Sequence, residues 1–71
     1  MKQPLLDKLQ EFGLSEKEAQ VYLASLELGK ATADQLAKHS GVNRSTTYVQ
    51  IQELLKMGLM STFEKGKKTF F

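Results

Sequence analysis

The sequence predicts a small, mainly α-helical domain closed by a β-hairpin, and three observations predict it. Apolar residues recur three and four apart from Leu5 to Leu55, the spacing of helices with one buried face. Ser15 with Glu18, and Thr32 with Gln35, stand at capping-box spacing, and Asn43 opens a further periodic run. After Gly58 the pattern changes to two β-prone runs, LMSTFE and KTFF, around Lys65-Gly66-Lys67, a glycine-containing connection of hairpin length.

Taken in order, Pro4 suits the first position of a helix, where its missing N–H has no partner to lose. Leu5, Leu6, Leu9 and Phe12 follow at helical spacing, and Gly13 ends the segment. Leu5, Leu9 and Phe12 form the stripe expected in the core. A dimerising arm is the alternative, with the flank around Leu6 as its surface. The second helix starts at Ser15, with Leu14 and Ala19 placed to form a hydrophobic staple across the capping box. Ala19, Tyr22, Leu23 and Leu26 are its expected buried face, Gly29 its stop, and Leu28 is expected to join the core through the turn.

Lys30-Ala31 reads as a short extended link, and Thr32 caps a third helix whose inward residues are Leu36 and Ala37. Gly41, four residues after Ala37, falls where a tight turn needs positive φ, and Val42 is the apolar plug beneath it. Asn43 caps the fourth helix, about 43–57. Thr47, Ile51, Leu54 and Leu55 fall on its inward side, while Ser45 and Val49 face nearly opposite. Lys56, Met57 and Gly58 close it, a basic residue in the last turn and a glycine after it. A short helix, a glycine turn and a longer helix whose first turn is polar make a helix-turn-helix; the hairpin at 59–71 makes it a winged one. The chain reads as a single domain over 1–71. It ends in mid-strand, so it is expected to be the N-terminal part of a longer protein.

Composition narrows the function. The 71 residues contain no cysteine, which excludes disulfides and cysteine-based zinc sites. No apolar run approaches the ~18 residues that span a bilayer, and MKQPLLDKLQEF lacks the apolar centre of a signal peptide; a soluble, cytoplasmic protein with no membrane partner is expected. Residues 1–37 carry a charge balance of −2 and residues 38–71 one of +4, so the positive half carries the turn motif. Ordinary surface lysine is the bland reading of that excess. His39 has no second histidine or cysteine with which to bind a metal and reads as an exposed turn residue. Glu16 and Glu18 are accounted for by capping and the helix dipole. Neither GKA nor EKGKK has the spacing of a phosphate loop. No catalytic site and no cofactor are expected.

The fourth helix instead suits double-stranded DNA. Arg44, the one arginine of the chain, stands where such a helix enters the major groove, and a guanidinium bridges guanine O6 and N7 or clamps a phosphate. Ser45 and Thr46 can bond bases or phosphates, Tyr48 the backbone, and Val49 a thymine methyl. Lys65, Lys67 and Lys68 on the wing would reach flanking phosphates. Each has a plainer reading. Asn43 and Thr46 serve helix capping, Tyr48 half-buried packing, Val49 a protein interface, and the lysines protection of a sheet edge. The rival from another class is a winged-helix protein–protein module of the transcription machinery, favoured if Val49, Leu55 and Met57 are exposed together.

The blocks GLSEKEAQVYLASL, ATADQLAKHSGVNRST and GKKTFF resemble the N-terminal DNA-binding domain of the TrmB-type transcriptional regulators. The second block is shared with other winged-helix regulators, the MarR group among them. The resemblance implies a homodimeric bacterial or archaeal transcription factor, with its recognition helix in the major groove and its wing on the flank. It carries DNA contact onto Arg44, Ser45, Thr46 and Tyr48. Val49 stands where relatives often have arginine, and Gln50 where they often have an apolar core residue, so a different base preference is expected. The effector domain of longer members lies outside these residues, and no effector ligand is expected in them.

Overall fold

Local chemistry sets the helix boundaries in the computed structural model, which describes residues 3–71. Helix α1 (Gln3–Glu11) has Pro4 in its first turn. Helix α2 (Glu16–Leu28) is opened by the predicted reciprocal cap: the Glu18 N–H donates to Ser15 Oγ at 3.1 Å, and the Ser15 N–H to Glu18 Oε1 at 2.9 Å. The same device opens α3 (Ala33–Ser40), with Gln35 N–H to Thr32 Oγ1 at 3.2 Å and Thr32 N–H to Gln35 Oε1 at 2.9 Å. Helix α4 (Arg44–Lys56) is capped by Asn43, whose Oδ1 accepts from the Thr46 N–H at 2.8 Å. Each cap satisfies amide donors that the helix itself leaves without partners.

The core lies where α2, α3 and α4 pack on one another, with α1 laid against α2. Leu36, Ile51 and Leu54 are wholly buried, and burying a side chain of this size contributes about 1.5–3 kcal/mol. Thr47 joins them and hides its hydroxyl by donating to the carbonyls of Asn43 (2.8 Å) and Val42 (3.2 Å). Leu14 and Ala19, the expected staple pair, are both in the core.

Two apolar stripes differ from expectation. On α1 it is Leu6 and Leu9 that pack against the core, while Leu5 is 54% and Phe12 85% exposed. The helix is covered chiefly by α2, so only a narrow strip of it is enclosed, and Leu6 does not form an exposed flank. On α2, Leu26 and Leu28 are exposed, and Val21 and Ala24 are buried. Because α2 touches α1, α3 and α4, its buried residues are not confined to one stripe.

The wing is shorter than its β-prone runs. Strands β1 (Phe63–Lys65) and β2 (Lys68–Phe70) are antiparallel, with Phe63 opposite Phe70, Glu64 opposite Thr69 and Lys65 opposite Lys68. Residues 59–62 instead bring the chain off α4. The Leu59 N–H reaches back to Leu54 O and the Gly58 N–H to Leu55 O, the paired bonds of a Schellman closure. Met60 then turns into the core. The connection is the pair Gly66-Lys67, and Gly66 at φ 64° supplies the positive φ that a two-residue turn of type II′ requires at its first position. Ala31, read as part of a plain link, is buried and pairs by backbone with Phe71.

Candidate nucleic-acid interface

The turn between α3 and α4 is built as its residue types require. Gly41 adopts φ 78°, ψ 11°, a left-handed conformation that costs other residues about 1–2 kcal/mol, and its N–H closes onto Ala37 O. Ser40 Oγ accepts from the Val42 N–H at 3.3 Å, and Val42 is buried beneath the turn. With Thr47, Ile51 and Leu54 turned inward, α4 presents Arg44, Ser45, Tyr48, Val49 and Gln52 to solvent, with Thr46 and Gln50 half-buried. The polar first turn is therefore on the open side of the domain, where a groove-reading helix needs it.

Arg44 is held rather than dangling. Its Nε lies 2.8 Å from Asp34 Oδ1 on α3, and its guanidinium stands 5.8 Å from the centre of the Tyr48 ring. The Tyr48 hydroxyl first, and the Asp34 charge second, raise the guanidinium above its ordinary pKa, so it is cationic at every pH at which a domain stays folded. In the sequence Asp34 is only a residue between Thr32 and Gln35 of the capping box. Its role beside Arg44 depends on the two helices crossing, and the one sequence signal was an opposite charge across the turn.

A groove of about 500 Å³ runs between the start of α4 and the wing. It brings together Arg44, Tyr48, Lys67 and Lys68, with Thr32 and Asp34 along its α3 side. Asn43 at the cap of α4, and Ser45, Thr46 and Val49 on it, lie outside this lining, all but Thr46 exposed, and Lys65 is also outside it. Lys65 and Lys68 are direct cross-strand partners. Like charges so placed are mildly destabilising unless an anion shares them. Lys30, read from the sequence only as part of the α2–α3 link, sits with Nζ 5.1 Å from the Phe63 ring centre and ties that link to the wing.

His39 lies in the last turn of α3, with Nε2 3.1 Å from Glu27 Oε1 on α2, so it joins two helices rather than standing in a turn. Among the described residues no group of three or more histidine, cysteine or acidic side chains is arranged to hold a metal ion. No helix among them is long and apolar enough to cross a membrane.

Comparison with known proteins fixes the family. Residues 9–71 match the family described as "Sugar-specific transcriptional regulator TrmB", from the end of α1 through the wing. This chain belongs to the TrmB family. A curated relative, the HTH-type sugar sensing transcriptional regulator TrmBL1 of Pyrococcus furiosus, is 33% identical over 60 residues, covering 84% of this chain and 18% of the relative. The chain thus spans less than a fifth of that protein's length. No solved structure matches it significantly. The four helices and C-terminal hairpin of the described residues make a winged helix-turn-helix, and the family is one of transcriptional regulators.

Proposed function

We propose that the domain binds double-stranded DNA sequence-specifically in a cytoplasmic prokaryotic transcriptional regulator. Helix α4 lies in the major groove with Asn43, Arg44, Ser45, Thr46, Tyr48 and Val49 toward the bases and adjoining phosphates. The wing lies along the flanking backbone chiefly through Lys67 and Lys68, with Lys65, outside the groove lining, contributing less. The observation that carries this reading is the convergence of Arg44, Tyr48, Lys67 and Lys68 on one groove. A helix N-terminus with basic groups beside it is complementary to phosphate. Two domains meeting half-sites about 34 Å apart would form a homodimer on a near-palindromic site.

Titration against duplexes selected by the protein, and against random duplexes, at several salt concentrations tests the proposal. With roughly four to six phosphates neutralised, log affinity should fall with log salt at a slope of about −4 to −5. A slope near zero rules the reading out.

The protein-contact reading draws on a separate surface. Met57 and Leu59, both exposed, border an apolar hollow with Phe12 and Tyr22. Met57 lies thirteen residues beyond Arg44, roughly 20 Å along the helix. The rival is favoured by Val49, Leu55 and Met57 exposed together; Val49 and Met57 are exposed, while Leu55 is half-buried against the core, on the inward side where its spacing puts it. This surface therefore coexists with the DNA face and does not compete for it. Sedimentation of the domain is the measurement that decides whether a second copy uses it.

A further inference from the structure

Asp34 is a misfit on a face that meets phosphates. A carboxylate there repels the backbone of DNA, and as one half of an exposed ion pair it adds little to folding. What it does is geometric. Its Oδ1 engages Arg44 at Nε, at 2.8 Å, while the Tyr48 ring lies 5.8 Å from the guanidinium carbon. A planar cation held at one edge, with a ring beside it, has lost much of the rotamer freedom that an arginine otherwise gives up on binding. The choice of Nε matters as well. The remaining N–H donors are on the two terminal amino nitrogens, and that end of the fork matches guanine O6 and N7.

We propose that Asp34 is a specificity-determining positioning residue: it holds Arg44 by Nε, presents the terminal amino groups to a guanine edge, and keeps Arg44 from settling on a phosphate. The inference rests on the DNA-binding reading above and deepens it. It assigns base preference partly to a residue on α3 that touches no base. It also gives the negative charge a use, since repulsion from the backbone weakens non-specific binding more than it weakens a complex in which Arg44 pairs with a base.

The two effects have opposite signs, and the test uses that. Duplexes are first selected by the wild-type chain from a random pool, and affinities are measured for the best selected duplex, a random duplex, and the selected duplex carrying 7-deazaguanine at each guanine in turn. For the wild type, one 7-deaza substitution, which removes the N7 acceptor, should lower affinity several-fold. Asp34→Ala should bind random duplex as well as the wild type or better. Its preference for the selected duplex should fall about five- to a hundredfold, and it should no longer respond to that 7-deaza position. Arg44→Ala should lose the same preference, and the double variant should lose no more than either single one. Asp34→Glu should recover part of it. Asp34→Leu, which nearly keeps the size of the side chain and has no acceptor for Nε, guards against a folding defect: a partly unfolded variant loses affinity for both duplexes together, whereas a mispositioned arginine loses the ratio. The inference is overturned if Asp34→Ala and Asp34→Leu keep the wild-type ratio while Arg44→Ala loses it, or if Arg44→Ala keeps it. A wild-type chain that shows neither duplex preference nor salt dependence sinks the DNA reading itself, an outcome distinct from both.

Discussion

Ala31 and Phe71 exchange both of their backbone hydrogen bonds, the Phe71 N–H reaching Ala31 O at 2.8 Å and the Ala31 N–H reaching Phe71 O at 3.3 Å. The link that enters α3 thereby becomes a third partner of the wing, beside β2. Lys30, one residue earlier, covers Phe63 on β1. A two-stranded hairpin on its own is marginal in water, so these contacts hold the wing at a fixed angle to the helices, and with it Lys67 and Lys68 in the groove. The amide protons of Ala31 and Phe71 should therefore exchange more slowly than those of Ser61 and Thr62, in the exposed approach to β1. Hydrogen exchange followed by NMR measures this directly, and equal rates would mean that the wing is not fastened there.

Thr47 holds the other side of the same frame. Its hydroxyl bonds to the carbonyls of Val42 and Asn43, at the point where the turn becomes α4. Thr47→Val keeps the shape and the branched Cβ but removes the donor. The Asn43 carbonyl retains the Thr47 N–H as a partner at 2.8 Å, so most of the loss falls on Val42. A cost of about 1–2 kcal/mol is expected. It should appear as a lower urea midpoint with an unchanged slope; a neutral substitution would show that the hydroxyl is dispensable.

What could be read from the chain in advance follows from how far apart the interacting groups are. Ser15 with Glu18, Thr32 with Gln35, and Asn43 with the Thr46 N–H are three residues apart, and all were legible because a cap is a local bargain between neighbours. Gly41, Val42, Ile51 and Leu54 were legible for the same reason, since turn geometry and one helical period decide them. Leu5 and Leu6 were not separable, because both belong to an apolar stripe and only the position of α2 selects between them. The Ala31–Phe71 pairing joins residues about forty apart, and no local pattern marks it. In the candidate site, Arg44 and Tyr48 were legible as types at the start of a recognition helix. The Asp34 contact required the crossing of α3 and α4. The separation of Lys65 from Lys67 and Lys68 required the register of the hairpin, which places Lys65 in β1 rather than in the connection.

That separation makes the three wing lysines unequal. Lys67 and Lys68 line the groove with Arg44, and Lys65 does not. If each groove lysine neutralises one phosphate, Lys67→Ala and Lys68→Ala should each reduce the steepness of the log–log salt dependence by about 1, across all sequences alike. Lys65→Ala should change it less. It should also slightly stabilise the free domain, because it removes a like charge directly opposite Lys68. Filter binding at four or five salt concentrations gives the slopes; equal slopes for all three variants would place Lys65 on the backbone as well.

Asn43 has two chemical ends, and substitutions can separate them. Its Oδ1 is committed to the cap, accepting from the Thr46 N–H, while its amide NH₂ remains as a donor at the mouth of the proposed reading face. Asn43→Ala removes both ends and should cost about 1 kcal/mol of stability together with DNA affinity. Serine is an equivalent cap but has no amide to offer, so Asn43→Ser should leave the thermal midpoint near that of the wild type and still bind selected DNA several-fold more weakly. Aspartate also caps well, and its charge favours the helix dipole, yet it faces phosphates with the wrong sign. Asn43→Asp should therefore match or exceed wild-type stability while binding DNA most weakly of the three. Melting curves and duplex titrations on the same preparations would show the two properties moving apart. If Asn43→Ser binds as the wild type does, the residue serves the helix alone, and the reading face begins at Arg44.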